Sequence, residues 1–141
     1  MSYLVDASVA LSWFTRNERF HPEAVAFLRE TYGTLEAPDL ILMEVSNGAW
    51  KKCRRHELTV EQARACLPSL RDNITTFHLT EELLEQALEI ALELDHPIYD
   101  CVYLACIERT AHVLVTQDRR LRQKAIDSRF ASHVKLLVDL Q

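Results

Sequence analysis

Five short apolar and β-branched runs, separated by stretches long enough for one or two helices, constrain the fold of this chain more than any other feature. They are Tyr3–Val5, Leu35–Pro38, Ile74–Leu79, Val113–Thr116 and Val134–Val138. Two antiparallel strands can be joined by a tight turn, whereas parallel strands need a crossover of about a dozen residues or more. Strands alternating with helices therefore predict an α/β fold around a parallel sheet. The 141 residues fit a single domain, 1–141, able to bury its own core.

The helical segments carry their own punctuation. Ala7 to Phe14 places Val9, Ala10, Trp13 and Phe14 on one stripe. Pro22 suits the first turn of a helix to about Tyr32, with Gly33 as its stop. Asp39 is placed to cap a helix running to about Arg55. Thr59 with Gln62 forms a capping box for a helix to about Arg71, which Pro68 should kink or split. Thr80 is read as the cap of the next helix. Its expected apolar stripe is Leu84, Ala87, Leu88, Ala91 and Leu94, with Glu81, Glu82, Glu85, Glu89 and Glu93 on its wet face. Tyr99 to Ala111 and Asp118 to Ile126 complete the set.

No apolar run approaches the roughly 20 residues that span a bilayer. The stretch Met1-Ser2-Tyr3-Leu4-Val5-Asp6 lacks the basic start of a signal peptide. Both observations predict a cytoplasmic protein without membrane contact. Cys53, Cys66, Cys101 and Cys106 form no C-x-x-C pair and are expected to be reduced and mostly buried. The net charge of −5 argues superficially against a nucleic-acid partner, but its distribution matters more. Lys51, Lys52, Arg54 and Arg55 form one basic cluster, and Arg119, Arg120, Arg122 and Lys124 another.

Asp6 follows the first apolar run and Asp118 the fourth. In open α/β sheets ligands bind outside the carboxyl ends of the strands, so both acids belong at that edge if these strands are neighbours. Glu44 lies within the apolar stretch Leu40–Val45, and Asp100 opens a helix whose later turns are apolar. Each has a bland reading. Asp6 and Asp118 suit N-caps, Asp100 suits a helix dipole, and Glu44 suits an exposed helix face. Together they suggest a site. Clustered carboxylates repel one another, and a divalent ion such as Mg²⁺ or Mn²⁺, which prefers oxygen ligands, relieves the repulsion. Such an ion activates water and steadies charge developing on a phosphodiester.

Four segments carry a family resemblance: Val5-Asp6-Ala7-Ser8; Glu44 with Asn47; Pro97-Ile98-Tyr99-Asp100-Cys101-Val102-Tyr103-Leu104-Ala105; and Thr116-Gln117-Asp118-Arg119-Arg120-Leu121. In this order, over nearly the whole chain, they resemble the PIN-domain family, and within it the VapC-type toxins of toxin–antitoxin pairs. The resemblance implies a three-layer fold with a five-stranded parallel sheet flanked by helices. It implies that Asp6, Glu44, Asp100 and Asp118 form a catalytic quartet ligating Mg²⁺ or Mn²⁺. Ser8 and Thr116 would be the small polar residues that orient them, and Asn47 would face the same pocket. It further implies a metal-dependent endoribonuclease that hydrolyses RNA, forms a homodimer, is held inactive by a cognate antitoxin, and meets DNA only through that antitoxin. Cys101 and Cys106 depart mildly from the family pattern, where small residues are common, and neither replaces an acid.

Both basic clusters are candidates for RNA phosphates. Arg119, Arg120 and Arg122 directly follow a proposed ligand, while Lys51 and Lys52 also suit the C-terminal dipole of their helix. Trp13, Phe14 and Trp50 are expected in packing rather than base stacking. The six histidines, His96 among them, show no ligand spacing and are read as structural. A receiver-like signalling domain with an acidic Mg²⁺ pocket is the alternative enzyme-free reading. Against it, no second acid neighbours Asp6, and the third run ends in His78-Leu79-Thr80 without a phosphoacceptor Asp. A phosphatase with an Asp nucleophile lacks its second acid, because position 8 is Ser. A non-catalytic RNA-binding protein of the same fold is opposed by the intact quartet.

Overall fold

A computed structural model describes residues 2–140. Its strands are β1 (Tyr3–Val5), β2 (Leu35–Pro38), β3 (Thr76–His78), β4 (Val113–Thr116) and β5 (Val134–Leu136). They form one five-stranded sheet in the order β3-β2-β1-β4-β5. Every neighbouring pair is parallel, as the alternation of strands and helices predicts. The strand order departs from the receiver-like alternative, whose order 2-1-3-4-5 sets β1 between β2 and β3. Here β1 lies between β2 and β4 and is in register with β4 from Tyr3↔Val113 to Val5↔Val115. The chain winds outward in both directions from that pair, so the crevice beyond its carboxyl ends is the topological switch point.

Seven α-helices connect the strands among the described residues: α1 (Ala7–Phe14), α2 (His21–Glu30), α3 (Leu40–Arg54), α4 (Val60–Asn73), α5 (Thr80–Leu94), α6 (Ile98–Thr110) and α7 (Arg119–Ile126). Helix α6 is buried continuously from Cys101 to Ile107. A helix that is apolar around its circumference belongs inside a fold, and α5 and the sheet cover this one. Its first turn, carrying Asp100, emerges at the switch point. Gly48 on α3 permits a second close approach. A Cβ there would meet Leu11 Cδ1 of α1 at 2.3 Å, so glycine lets the helix bearing Glu44 sit directly against the helix that Asp6 begins.

Several local expectations are corrected. Asp39 does not cap α3. Its Oδ1 accepts from Thr80 N at 2.9 Å, while Thr80 Oγ1 accepts from Leu40 N at 2.9 Å. The two residues thus exchange partners between the starts of α3 and α5, and Thr80 is the first residue of α5 rather than its cap. Pro68 neither breaks nor ends α4, and the Thr59–Gln62 capping box is present. Helix α2 ends at Glu30, and Gly33, with φ of +82°, turns the chain towards β2. The buried face of α5 is Leu83, Ala87 and Ile90, rotated from the expected stripe, leaving Leu84 and Leu88 exposed. Cys66, Cys101 and Cys106 are buried, Cys53 is half-buried, and all are free thiols. Among the described residues no helix is long and apolar enough to cross a membrane.

Candidate active site

Asp6 leaves β1 and caps α1, its Oδ1 accepting from Val9 N at 3.3 Å. The same oxygen accepts from Ser8 Oγ at 2.6 Å, and Oδ2 accepts from Thr116 Oγ1 at 2.5 Å. Capping is therefore part of its role, but a cap does not need a second hydroxyl from a strand 110 residues away. Thr116, fully buried at the end of β4, also accepts from Asp118 N at 3.0 Å. Asp118 caps α7 by accepting from Arg120 N at 2.9 Å and Leu121 N at 3.2 Å. Ser8 and Thr116 thus tie two of the expected acids together across the β1–β4 crevice.

The other two acids arrive on helices. Glu44, half-buried on α3, accepts from the Tyr103 phenol of α6 at 2.6 Å through Oε1. Asp100, in the first turn of α6, meets His96 Nε2 at 2.6 Å through Oδ2.

The acids also raise one another's pKa. Burial lifts Asp6 to about 6 against the hydrogen bonds from Ser8, Thr116 and Val9, with the Asp100 charge adding to the rise. Burial lifts Glu44 to about 7, opposed by Tyr103 and reinforced by Asp6 and Asp100. Asp100 is raised by burial, lowered by its bond to His96 and the imidazole charge, and raised by Asp118. These couplings link all four expected acids into one electrostatic cluster at the switch point.

Carboxylates held near one another suit a hard divalent cation, which relieves their mutual repulsion. Among the described residues no three His, Cys, Asp or Glu side chains lie close enough, as arranged, to hold an ion together. Asp6, Glu44 and Asp118 each face a protein O–H or N–H donor, and Asp100 faces His96.

The remaining candidates separate. Asn47 lies exposed one turn beyond Glu44. Arg119 and Arg120 are exposed beside Asp118, and Arg122 is half-buried with its Nη1 unpartnered among the described residues. Lys51 is exposed, but Lys52 turns inward to pair with Glu18 and, at 3.4 Å, with Glu57. Trp13 is in the core, whereas Trp50 is exposed, with the Arg54 guanidinium 5.1 Å from its ring centroid.

Three residues at the site were missed from sequence: His96, Tyr103 and Gln117. Tyr103 stands one turn after Asp100 on α6 and reaches Glu44 on α3, while His96 precedes α6 in the link and meets Asp100 four residues on. Gln117 donates its backbone N–H to Ser8 Oγ at 2.9 Å and its side-chain amide to Ser8 O and Ser12 Oγ at 3.0 and 2.6 Å. No sequence spacing signals that last set, which depends on β1 and β4 being adjacent.

Known proteins resemble this chain in sequence and in fold. The sequence profile described as "PIN domain" matches residues 3–127. The chain is 32% identical over 128 residues to "Ribonuclease VapC3" of Pyrobaculum aerophilum, covering 88% of this chain and 95% of that protein. It is 29% identical over 127 residues to "Exonuclease VapC9" of the same organism, covering 88% and 86%. The fold matches the crystal structure of PAE2754 from Pyrobaculum aerophilum with a TM-score of 0.70 at 24% identity, over 99% of this chain and 86% of that one. It also matches the crystal structure of Mycobacterium tuberculosis VapC20, a sarcin-ricin loop cleaving toxin, with a TM-score of 0.69 at 19% identity, over 85% of this chain and 92% of that one.

Proposed function

This chain belongs to the PIN domain family, and we propose that it is a divalent-metal-dependent endoribonuclease, the toxin of a VapBC-type toxin–antitoxin pair. The observation that carries the reading is the Thr116 bridge between Asp6 and Asp118 at the β1–β4 switch point, with Glu44 and Asp100 near enough for the charges to raise one another's pKa. Those four carboxylates would hold the ion, with Mg²⁺ or Mn²⁺ the proposed identity. A divalent ion bound there activates water and neutralises charge on the phosphodiester.

The protein's own part is positioning and charge. Ser8 and Thr116 fix both oxygens of Asp6, so its carboxylate is aimed before substrate arrives. Tyr103 does the same for Glu44. Arg119 and Arg120, exposed and next in sequence to Asp118, would meet RNA phosphates, and Lys51 is a further candidate. Lys52 is withdrawn from that role, because its ammonium is already paired with Glu18.

The reading extends to residues 1–141 as one domain in the cytoplasm, binding a cognate antitoxin and meeting DNA only through it. A homodimer belongs to the same reading, and Leu84, Leu88 and Leu92 offer it an exposed apolar stripe along α5.

The test is RNA cleavage by the purified chain with EDTA, after Mg²⁺ or Mn²⁺ is restored, and by Asp6→Asn. Cleavage that depends on the ion and is lost in a folded Asp6→Asn protein supports the reading. Undiminished cleavage in EDTA or by Asp6→Asn overturns it.

A further inference from the structure

We propose that His96 is a positioning residue for the carboxylate cluster, holding Asp100 in place against the repulsion of the other acids. The inference rests on the reading of Asp100 as a metal ligand and assigns His96 a role in that site.

The backbone fixes His96 from both sides. Asp95, left-handed at φ 52°, ends α5, and Pro97 leads into α6. His96 N donates to Ala91 O at 3.3 Å, and Cys101 Sγ donates to His96 O at 3.7 Å. The residue is therefore pinned to the helices on either side of a three-residue link. Its side chain is 9% exposed, and its Nε2 lies 2.6 Å from Asp100 Oδ2. Among the described residues Asp100 is its only side-chain hydrogen-bond partner.

Asp100 needs such a donor more than the other acids do. Asp6 has two hydroxyls and a backbone N–H, Glu44 has the Tyr103 phenol, and Asp118 has two N–H groups of α7. Asp100 has His96 alone among the described residues. It also feels like charges, since Asp118 raises its pKa while it raises those of Asp6 and Glu44. Its side chain is 28% exposed, so a carboxylate released from the imidazole has an open path to water and away from the cluster. An Nε2–H donates from the neutral tautomer and the imidazolium alike, so the positioning does not depend on the charge of His96. Donors behind ligating groups fix their orientation, and losing one lowers metal affinity about 10–100-fold.

The experiment measures Mn²⁺ binding to the full chain by calorimetry in wild type, Asp100→Asn, His96→Ala, His96→Leu, His96→Gln and the double variant His96→Ala/Asp100→Asn. His96→Leu fills the space without a donor and guards against a packing defect in His96→Ala. Thermal melts without metal confirm that each variant is folded. We expect Asp100→Asn to weaken binding and His96→Ala and His96→Leu to weaken it about tenfold. His96→Gln, which retains an N–H donor, should recover most of that loss, and the double variant should bind no worse than Asp100→Asn. Wild-type affinity in His96→Leu, or a full further loss in the double variant, overturns the role of His96 while leaving the metal site standing. Wild-type affinity in Asp100→Asn overturns the assignment of Asp100 and this inference with it.

Discussion

The Tyr103 phenol donates to Glu44 Oε1 at 2.6 Å from a ring that is 1% exposed, joining α6 to α3 at the centre of the acidic cluster. This bond opposes the burial that lifts Glu44 to about 7. Tyr103→Phe keeps the ring and removes the donor. Glu44 should then titrate above its present value in the metal-free protein, and RNA cleavage should fall because the Glu44 carboxylate loses the donor that orients it. A carbon-detected NMR titration of the metal-free protein reads the first effect directly, and an unmoved midpoint would show that the bond does not govern the charge of Glu44.

In the metal-free protein, Asp6 and Glu44 make stability fall as pH rises. Both have pKa values above their ordinary ones, about 6 and about 7, so the folded state holds protons that the unfolded chain has already released. Their contribution is complete below the ordinary carboxylate range and is lost as pH climbs through about 6 to 7, each pKa unit corresponding to about 1.4 kcal/mol. Calorimetric melts in EDTA should show this decline between pH 5 and 8, less steep in Asp6→Asn. A bound divalent ion should reverse the trend, because metal and protons compete for the same oxygens. A flat profile in EDTA would argue that the two carboxyls are not protonated in the fold.

Thr116 serves Asp6 as a donor and Asp118 N as an acceptor. Thr116→Val preserves shape and loses both bonds, leaving a polar group without a partner beside a buried carboxylate. Destabilisation of about 1–3 kcal/mol is expected, together with a strong loss of cleavage. Thr116→Ser should restore both. Wild-type stability and cleavage in Thr116→Val would assign Thr116 to packing alone.

Arg119 and Arg120 should separate from Lys52 in salt-dependent RNA binding. If each arginine meets one phosphate, Arg119→Ala and Arg120→Ala each lower the logarithmic salt slope by about 0.7–1. Lys52→Ala should leave the slope unchanged and lower stability by about 1 kcal/mol, because its partner is Glu18. Filter binding across a salt series distinguishes the two cases.

What was legible in the sequence follows the range of the forces involved. β1, β2 and β4 are buried along most of their length, so their apolar runs mark them without further context. Asp6 and Asp118 follow directly from those strands. The stripe of α5 was misjudged because leucines lie on both sides of the helix, and only packing decides between Leu83 and Leu84. Asp39 and Thr80 each looked like a cap for its own helix. They instead satisfy one another's helix starts across 41 residues, a swap made possible by the parallel β2–β3 pairing. His96 shows no ligand spacing because its partner is a single carboxylate four residues on, reached across the Pro97 link.

The bond from Thr116 to Asp6 has a consequence for how the protein is made. The strand that braces the first acid is synthesised more than a hundred residues after it. Until β4 slots in beside β1, Asp6 lacks its second hydroxyl and Asp118 does not yet exist in the chain. The assembled cluster therefore cannot exist in the growing chain until β4 has been made, and a chain cut short before β4 lacks it for the same reason.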